Sequence, residues 1–441
     1  MIRELAWGLL RSGDAAPTRG VASAAHQAGL DPRDRGLLNR MVRTEVQRRG
    51  SLHALVRSFA RGKPNRDLAA FLRLGMAQLF FMDRVPSHAA VSETVGAASN
   101  CLGLSKGKYV NGVLRTALRS SRPEASGDPR RDLVGRQVSF GRPVFADPEE
   151  HPYLWAEDAL SLPAPLYKGW VKRFGPERAL QLAEDALVDP RLSLRVVRGK
   201  REELARELDT HGVSTACGEH PAVLTADPAV LEAALASAAF AEGRLTVQGE
   251  SALLAAEACG AQEGERWLDL CAAPGGKTAV LAATSARVVA CDVSPAKLER
   301  LGETLARLQL ADAVELSLLE EGGAPPEGPF DGVLVDAPCS NTGVLARRPD
   351  ARWRWGPRSR RSLVEVQTAL LATAAARVRP GGVLVYSTCS IEPDENEQRA
   401  KAFLVENPGW DLEEEVLGLP RSQDEAGPVD GGFFARLRKP S

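Results

Sequence analysis

The chain has 441 residues, of which 44% are hydrophobic and 26% charged, so it is long enough for several folded domains. It has no apolar run near roughly 18 residues and no signal-peptide pattern at its start, so we expect no membrane span and a cytoplasmic location. The seven cysteines are scattered without a CxxC pair, which argues against a disulfide framework and a structural zinc site. We therefore expect no bound metal.

The net charge of −1 conceals an uneven distribution along the chain. Residues 1–140 contain 23 Lys and Arg against 11 Asp and Glu, a net charge of +12, whereas the remainder carries −13. A basic block joined to an acidic one indicates that the first part meets a polyanion, with nucleic acid favoured. The alternative is a solvated basic surface on a plain helical domain.

Residues 1–125 are predicted to be helical. The stretches "DRGLLNRMVRTEVQR" and "RDLAAFLRLGMAQLFFMDRV" place apolar residues at intervals of three and four. Pro86 ends the second of these helices, Ser87 is a candidate N-cap for the next, and "YVNGVLRTALRS" completes a bundle. Residues 126–163 are rich in Pro, Gly, Arg and Asp and are predicted to be a linker.

The rest of the chain is predicted to mix strands and helices. Residues 164–250 suggest a small α/β domain, because the strand-like "RLSLRVV" lies among helical stretches. Residues 251–441 alternate helices with the strands "RWLDLC", "ARVVACDV", "AVELSLL", "DGVLVDAPC", "GVLVYSTCS" and "GGFFARLRK". Continuous apolar strands of this kind indicate a parallel sheet covered on both faces, with ligands at the carboxyl ends of its strands.

The stretch "RWLDLCAAPGGKTAVL" ends in Gly-Lys-Thr but is a poor triphosphate loop. A P-loop would need glycine in place of Cys271, and Pro274 has no N–H to offer a phosphate. The G-x-G-x-x-G of a dinucleotide site is missing here as well. Together with Asp292 at the end of the next strand, the loop suits a nucleoside without phosphates, and we predict S-adenosylmethionine. Taken singly, Asp292 is as well explained by a structural role at a helix N-terminus.

Two cysteines stand at strand ends, Cys339 after Asp336 and Cys389 after "YST". A lone cysteine is usually a small buried hydrophobe. Two of them at the ligand edge of neighbouring strands fit methylation at C5 of cytosine, because a thiolate added to C6 makes C5 nucleophilic and a base must then remove the C5 proton. From the residues alone, either cysteine is an equally good nucleophile.

Three motifs now carry a resemblance to a known family. "DLCAAPGGKT", "DAPCSNTGVLARRPDARW" and "YSTCSIEPDENE" resemble the signatures of the RNA cytosine-5 methyltransferases of the Nop2/Sun family. "FLRLGMAQLFFMDRVPSHAAVSETV" with "YVNGVLRTALRS" resembles the NusB-type RNA-binding helical domain. The two parts in this order are similar to family members that act on small-subunit ribosomal RNA. The resemblance implies an N-terminal all-α NusB-like bundle (1–125), a linker (126–163), a small α/β domain (164–250) and an α/β Rossmann-like class I methyltransferase domain (251–441).

The resemblance also implies roles for individual residues. Cys389 would be the nucleophile, and Cys339 would assist product release by helping to deprotonate C5. Asp336 would lie beside the cofactor and bind the cytosine edge around N3 and N4, and Asp292 would bind the ribose. The methionine end of S-adenosylmethionine would be held by one loop: Cys271, Ala272, Ala273, Pro274, Gly275, Gly276 and Lys277. Small-subunit ribosomal RNA would be the partner and the protein a monomer.

The sequence departs from the family at the third strand, which usually ends in an aspartate that marks the adenine. Leu318 or Leu319 stands at about that place here. Glu320 or Glu321 would serve instead after a small shift, or backbone groups would read the base. A further departure is Gly249, where relatives often have Asp, and it carries no functional conclusion.

The run "ARRPDARWRW" after Cys339 has two interpretations of equal weight. Its arginines (Arg347, Arg348, Arg352 and Arg354) would meet RNA phosphates with Trp353 and Trp355 as stacking groups, or the run is a solvated loop with tryptophans turned to the core. Two rival functions also remain: a DNA cytosine-5 methyltransferase, in which Cys339 would be the nucleophile, and a NusB-type RNA-binding factor without catalysis.

Overall fold

The computed structural model describes residues 1–14, 16–320, 323–421 and 429–441, and every element below lies in these ranges. The chain divides into two compact units. The first unit is Met1–Val188 together with Arg348–Gly356, and the second is Asp189–Arg347 together with Pro357–Ser441. The short segment Arg348–Gly356 therefore belongs to the N-terminal unit although it lies in the sequence of the C-terminal one.

The first unit is built from helices. Their apolar faces recur every three to four residues, as the sequence predicted, and the caps of two of them are Asp31 and Asn65, whose side chains accept from Asp34 N and Leu68 N. The α-helices are Ile2–Arg11, Val21–Gln27, Pro32–Gln47, Arg49–Phe59, Arg66–Phe81, Ser87–Leu102, Leu104–Ser120, Pro152–Ala159, Ala164–Phe174, Pro176–Asp185 and Ala351–Arg354. Two short strands, β1 (Ser121–Arg122) and β2 (Ser139–Phe140), pair antiparallel.

The segment 126–163, for which we predicted a linker, packs into this unit. Its apolar side chains join the main core of the unit beside Phe71 and Leu114, and they are Leu133, Phe140, Val144, Phe145 and Ala159. The many Pro, Gly and Asp residues shape turns between these buried anchors, so a composition typical of loops does not mean a free linker here. The helix Pro152–Ala159 also lies within this segment.

The small α/β part of the second unit contains a four-stranded antiparallel sheet of order β4-β5-β3-β6. Its strands are β3 (Leu192–Val196), β4 (Thr215–Cys217), β5 (Val223–Ala226) and β6 (Leu245–Val247). Its helices are Arg201–Thr210, Leu231–Ala236 and Ala238–Ala241. One face of the sheet packs Leu194 and Leu224 against Leu204 and Leu208 of the first of these helices.

The larger part of the second unit is a seven-stranded sheet of order β12-β13-β11-β10-β7-β8-β9. Its strands are β7 (Arg266–Asp269), β8 (Arg287–Asp292), β9 (Val314–Leu318), β10 (Phe330–Asp336), β11 (Val378–Thr388), β12 (Asp411–Gly418) and β13 (Gly432–Arg438). Its helices are Glu250–Glu257, Gly276–Ala282, Pro295–Leu308, Pro357–Ala375 and Glu397–Glu406. The core lies between sheet and helices, with Leu268, Val333 and Tyr386 on one face of the sheet.

The sheet is mixed, whereas the sequence led us to expect a parallel one. Strands β7 to β11 pair parallel, but β13 runs antiparallel to both β11 and β12. β12 was missed because its sequence, "DLEEEVLG", is acidic and its side chains are exposed along most of an edge strand. The expected class, a helical N-terminal part followed by α/β parts with a Rossmann-like sheet, is confirmed.

Candidate active site

The loop after β7 is shaped by two glycines. Gly275 has φ +103°, a left-handed conformation, and a Cβ added to it would lie 2.1 Å from Cδ1 of Leu301. Gly276 begins the helix Gly276–Ala282, and a Cβ there would lie 3.3 Å from the side-chain amide carbon of Gln248. Only glycine fits at position 275, because a side chain there would strain the left-handed backbone and clash with Leu301.

Two buried polar side chains beside this loop, Asp269 and Gln248, have atoms without a hydrogen-bond partner among the described residues. Oδ2 of Asp269 accepts a hydrogen bond of 2.8 Å from Thr278, whereas its Oδ1 and both side-chain amide atoms of Gln248 have no hydrogen-bond partner among the residues that the structure describes. Burial raises the pKa of Asp269 to about 7. Unpaired buried groups of this kind are expected where a ligand binds. The sequence analysis did not single out either residue, although the carboxylate at the end of β7 was a usable signal.

Asp292 ends β8 at the same edge of the sheet and is 6% exposed. Its Oδ1 accepts from Ser294 N at 3.0 Å and lies 3.5 Å from Nζ of Lys297. The backbone contact is the structural role that we kept open for this residue. It occupies Oδ1, and the structure shows no hydrogen bond to Oδ2 from the described residues.

The end of the third strand is apolar. Leu318 is the last residue of β9 and pairs in register with Asp292, and it is 49% exposed. Val293, next to Asp292, is 67% exposed. Glu320 is exposed as well, and Glu321 lies outside the described residues. Where the family usually has an aspartate at the end of the third strand, this structure therefore has the side chain of Leu318 beside Asp292.

Lys277 and Asp336 form an ion pair with 2.7 Å between Nζ and Oδ2. Ser387 donates to the other carboxylate oxygen of Asp336 at 3.0 Å. Burial alone would lower the pKa of Lys277, but the charge and hydrogen bond of Asp336, together with the charge of Cys389, raise it above its ordinary value. The lysine of the glycine loop thus connects that loop electrostatically with the ends of β10 and β11.

The structure brings the two strand-end cysteines together. The Sγ atoms of Cys339 and Cys389 are 3.2 Å apart, and Cys389 Sγ lies 3.3 Å from Oδ1 of Asn341. Asn341, which the sequence analysis missed, has φ +61° and donates at 2.6 Å to the carbonyl of Cys339. The hydrogen bond to Cys389, burial and the charges of Cys389 and Glu395 raise the pKa of the Cys339 thiol well above its ordinary value.

The arginine-rich run after Cys339 does not behave as one surface. Arg352 is fully buried, and its guanidinium donates to the carbonyls of Gln47, Ser161 and Ala186 at 3.2, 3.2 and 2.8 Å. Trp353 packs against the core of the first unit and donates to a backbone carbonyl at 2.7 Å. For these two residues the interpretation as RNA contacts is wrong, because they satisfy buried carbonyls and fill a core.

The residues at this edge fit a nucleoside cofactor of the S-adenosylmethionine type. Gly275 allows the left-handed turn of the loop, Asp292 supplies a carboxylate, and Asp269 and Gln248 offer buried polar atoms without partners among the described residues. Exposed Val293 and Leu318 provide apolar surface beside Asp292. The eleven residues predicted from the sequence for the cofactor and the reaction all lie at the carboxyl ends of β7, β8, β10 and β11 or in the segments that follow them.

The described ranges contain neither a membrane-spanning helix nor a metal-binding cluster. None of their helices is both long and apolar enough to span a bilayer. Nor do these ranges contain a group of three or more His, Cys, Asp or Glu side chains arranged to hold a metal ion.

Comparison with known proteins gives matches over the whole chain. Residues 256–426 match the family described as 16S rRNA methyltransferase RsmB/F, and residues 10–119 match the NusB family. The "Ribosomal RNA small subunit methyltransferase B" of Klebsiella pneumoniae is 34% identical, over 94% of this chain and 92% of that protein. The "Probable ribosomal RNA small subunit methyltransferase B" of Synechocystis sp. is 32% identical, over 99% of each. The solved structure of PH0851 has the same fold, with a TM-score of 0.76 and 23% identity over 100% of this chain and 99% of that one.

Proposed function

The chain belongs to the RsmB/F family of 16S rRNA methyltransferases and carries a NusB domain, and from this membership we propose that it methylates C5 of a cytosine through a covalent cysteine intermediate. It is an S-adenosylmethionine-dependent methyltransferase of small-subunit ribosomal RNA. The observation that carries the covalent proposal is the 3.2 Å separation of the Cys339 and Cys389 thiols at the ligand edge of the sheet.

The cofactor, when bound, supplies an electrophilic methyl group on its sulfonium. We assign its methionine end to the loop from Cys271 to Lys277, where glycine backbone allows close approach. Asp292 is assigned to the ribose hydroxyls, since a carboxylate accepts from both. Asp336, ion-paired with Lys277 and 34% exposed at its side chain, is assigned to the N3 and N4 edge of the cytosine.

Cys389 is assigned as the nucleophile. Its thiolate adds to C6 of the flipped-out cytosine, and the C5–C6 electron pair becomes available to take a methyl group at C5. The C5 proton then leaves to a base, the electrons of the C5–H bond restore the C5–C6 double bond, and the C6–S bond breaks to return the thiolate. Lys277, whose pKa is raised in part by the charge of Cys389, is assigned to stabilise that negative charge.

Cys339 is assigned as the group that helps to remove the C5 proton. In the free enzyme its pKa is raised by the hydrogen bond to Cys389, by burial and by nearby charge, so the thiol keeps its proton. Once Cys389 sulfur is bonded to carbon, its charge and this hydrogen bond are lost, and two of the causes that hold the proton on Cys339 disappear. After the attack Cys339 therefore gives up its proton to solvent water more readily, and the resulting thiolate takes the C5 proton.

The test uses three cysteine variants with purified 16S rRNA and S-adenosylmethionine. Cys389→Ala is expected to give neither methylation nor a covalent complex. Cys339→Ala is expected to transfer the methyl group and then stall, leaving a protein–RNA adduct that survives denaturing electrophoresis. Cys101→Ala, at an exposed cysteine, is the matched control and is expected to behave as wild type.

A reversed pattern, with the adduct trapped by loss of Cys389, would make Cys339 the nucleophile, as in DNA cytosine-5 methyltransferases. Methylation that survives in both variants would refute the covalent mechanism. Bisulfite mapping of rRNA from a strain without the gene locates the modified base. Wild-type protein that binds rRNA but never methylates it would support the rival function of a NusB-type binding factor.

We further propose that the basic N-terminal unit binds RNA phosphates, which the net charge of +12 on residues 1–140 supports. Since the substrate is ribosomal RNA, we place the enzyme in the cytoplasm, where ribosomal subunits assemble. We also propose that it acts as a monomer, for which light scattering at the 47.2 kDa of one chain is the check.

A further inference from the structure

Each of the two cysteines is followed by a serine, and both serines bind the same carboxylate. Ser340 follows Cys339 and Ser390 follows Cys389. The hydroxyl of Ser390 donates to Oε2 of Glu395 at 2.6 Å, and the hydroxyl of Ser340 donates to the same oxygen. One oxygen atom therefore joins the loop after β10 to the loop after β11, at the residues that follow the two cysteines.

The second oxygen of this carboxylate reinforces the junction. Oε1 of Glu395 accepts from the backbone N–H of Ser340 at 2.9 Å and from Nε2 of Gln367 at 3.1 Å. The amide of Gln367 also donates to the carbonyl of Pro338 at 3.0 Å, on the other side of Cys339. The peptide that carries Cys339 is thus fixed before and after the thiol.

Glu395 is 0% exposed, and no Lys or Arg in the described ranges forms an ion pair with it. A buried carboxylate without a cation is unfavourable unless hydrogen bonds compensate for its lost hydration. Four hydrogen bonds do so here, and three of them come from the residues that follow the cysteines. An apolar residue would fill the same space but would not fix the two loops to each other.

We propose that Glu395 is a positioning residue that sets the distance between the two thiols by binding Ser340 and Ser390 together. The proposal rests on the covalent mechanism above, in which Cys389 attacks and Cys339 assists the elimination. Reacting groups need placement within fractions of an ångström, and a shift of 1 Å costs about 10²-fold in rate. The negative charge of Glu395 also helps to keep the proton on Cys339.

The test compares two full-length variants: one changes the carboxylate of Glu395, and the other removes a hydrogen bond to its backbone carbonyl. Glu395→Gln keeps the size but removes the charge and one acceptor. Tyr386→Phe is the matched control, because the Tyr386 hydroxyl donates at 2.6 Å to the backbone carbonyl of Glu395 and leaves its carboxylate untouched. We expect methylation of 16S rRNA to fall by about 10²-fold in the first variant and to stay close to wild type in the second.

A second readout needs no RNA and separates positioning from loss of folding. Alkylation by iodoacetamide at pH 7, followed by mass spectrometry, reports the thiolate content of each cysteine. In Glu395→Gln the rate at Cys339 relative to Cys389 is expected to rise several-fold, because a charge that raises the pKa of Cys339 has been removed. Cys259, which is fully buried, is expected to stay unlabelled, and its labelling would reveal unfolding instead.

If Glu395→Gln unfolds, Ser390→Ala takes its place, since it removes one of the four hydrogen bonds to Glu395 and keeps the charge. It also removes the hydrogen bonds of the Ser390 hydroxyl with Ser340, Thr342 and the backbone N–H of Glu392. Its methylation is then expected to fall while the relative alkylation of Cys339 stays as in wild type. An unchanged alkylation ratio in Glu395→Gln together with methylation equal to Tyr386→Phe would overturn the proposal, as would full activity of Ser390→Ala. Wild-type protein in the same assay shows separately whether the covalent methyltransferase function itself holds.

Discussion

Adding one methyl group at Gly275, in the turn after β7, is predicted to lower both the stability of the protein and its affinity for the cofactor product. In Gly275→Ala the new Cβ would lie 2.1 Å from Leu301 Cδ1, which is fully buried and belongs to the core beneath the loop. The left-handed backbone costs an alanine about 1–2 kcal/mol, and overpacking a dense core adds about 1–3 kcal/mol. We expect a loss of about 2–5 kcal/mol in urea denaturation. We also expect at least tenfold weaker binding of S-adenosylhomocysteine in calorimetry, since tenfold corresponds to about 1.4 kcal/mol.

Two further variants separate backbone strain from the steric clash. Gly264→Ala has φ +80° but no neighbour within 4 Å of the added Cβ, so it should lose only about 1–2 kcal/mol and bind S-adenosylhomocysteine normally. Leu301→Ala opens space at the clash, so Gly275→Ala and Leu301→Ala together should be less destabilising than their sum. Strict additivity, or equal losses at both glycines with unchanged binding, would refute the reasoning.

The remaining predictions concern a carboxylate, a pH dependence, a buried guanidinium and salt. Asp292→Ala should weaken S-adenosylhomocysteine binding by about 1.5–3 kcal/mol per charged hydrogen bond lost, with the exposed Asp312→Ala as control; equal affinity in calorimetry would rule out the ribose assignment. Asp269 has a folded-state pKa of about 7, above its unfolded value, so the folded state binds more protons and wild type should lose stability as the pH rises from 5 to 7. Compared with Asp269→Asn that loss should be about 2 kcal/mol, and parallel stability curves would contradict it. Arg352→Ala should destabilise the first unit by about 3 kcal/mol or more, since each unpaired buried carbonyl costs about 1–3 kcal/mol; Arg358→Ala, at an exposed site, should be neutral, and an equal urea midpoint for both would argue against the buried role. RNA affinity of the full chain should fall steeply with salt, and a flat dependence would exclude phosphate binding by the basic unit.

Local sequence pattern was sufficient to predict most helices and strands and the edge of the sheet at which the site residues lie. The strands that carry Asp292, Asp336 and the two cysteines are continuous apolar runs, and parallel strands place their carboxyl ends together. Periodicity likewise predicted the N-terminal helices. The roles assigned to the site residues stay predictions until the variants are measured.

Other features depended on contacts that no local pattern encodes. For Arg352 and Trp353 the sequence left RNA contacts and a core-facing loop equally open. Their partners are distant in sequence: Arg352 donates to the carbonyls of Gln47, Ser161 and Ala186, and Trp353 to that of Val46. The edge strand β12 was hidden by its acidic composition, because an exposed strand needs no apolar alternation. Glu395 was not predicted either, since its importance lies in the hydroxyls of Ser340 and Ser390 that the fold brings to its carboxylate.

The segment Arg348–Gly356 has a consequence for the order in which the protein is completed during synthesis. Residues 1–188 leave the ribosome first, but the guanidinium that satisfies the carbonyls of Gln47, Ser161 and Ala186 arrives only with Arg352. By then strands β7 to β10 of the other unit have been made. Domains usually fold from the N-terminus as they emerge, but here one segment of the first unit is encoded inside the second. A polypeptide released before residue 348 leaves those three carbonyls without this donor.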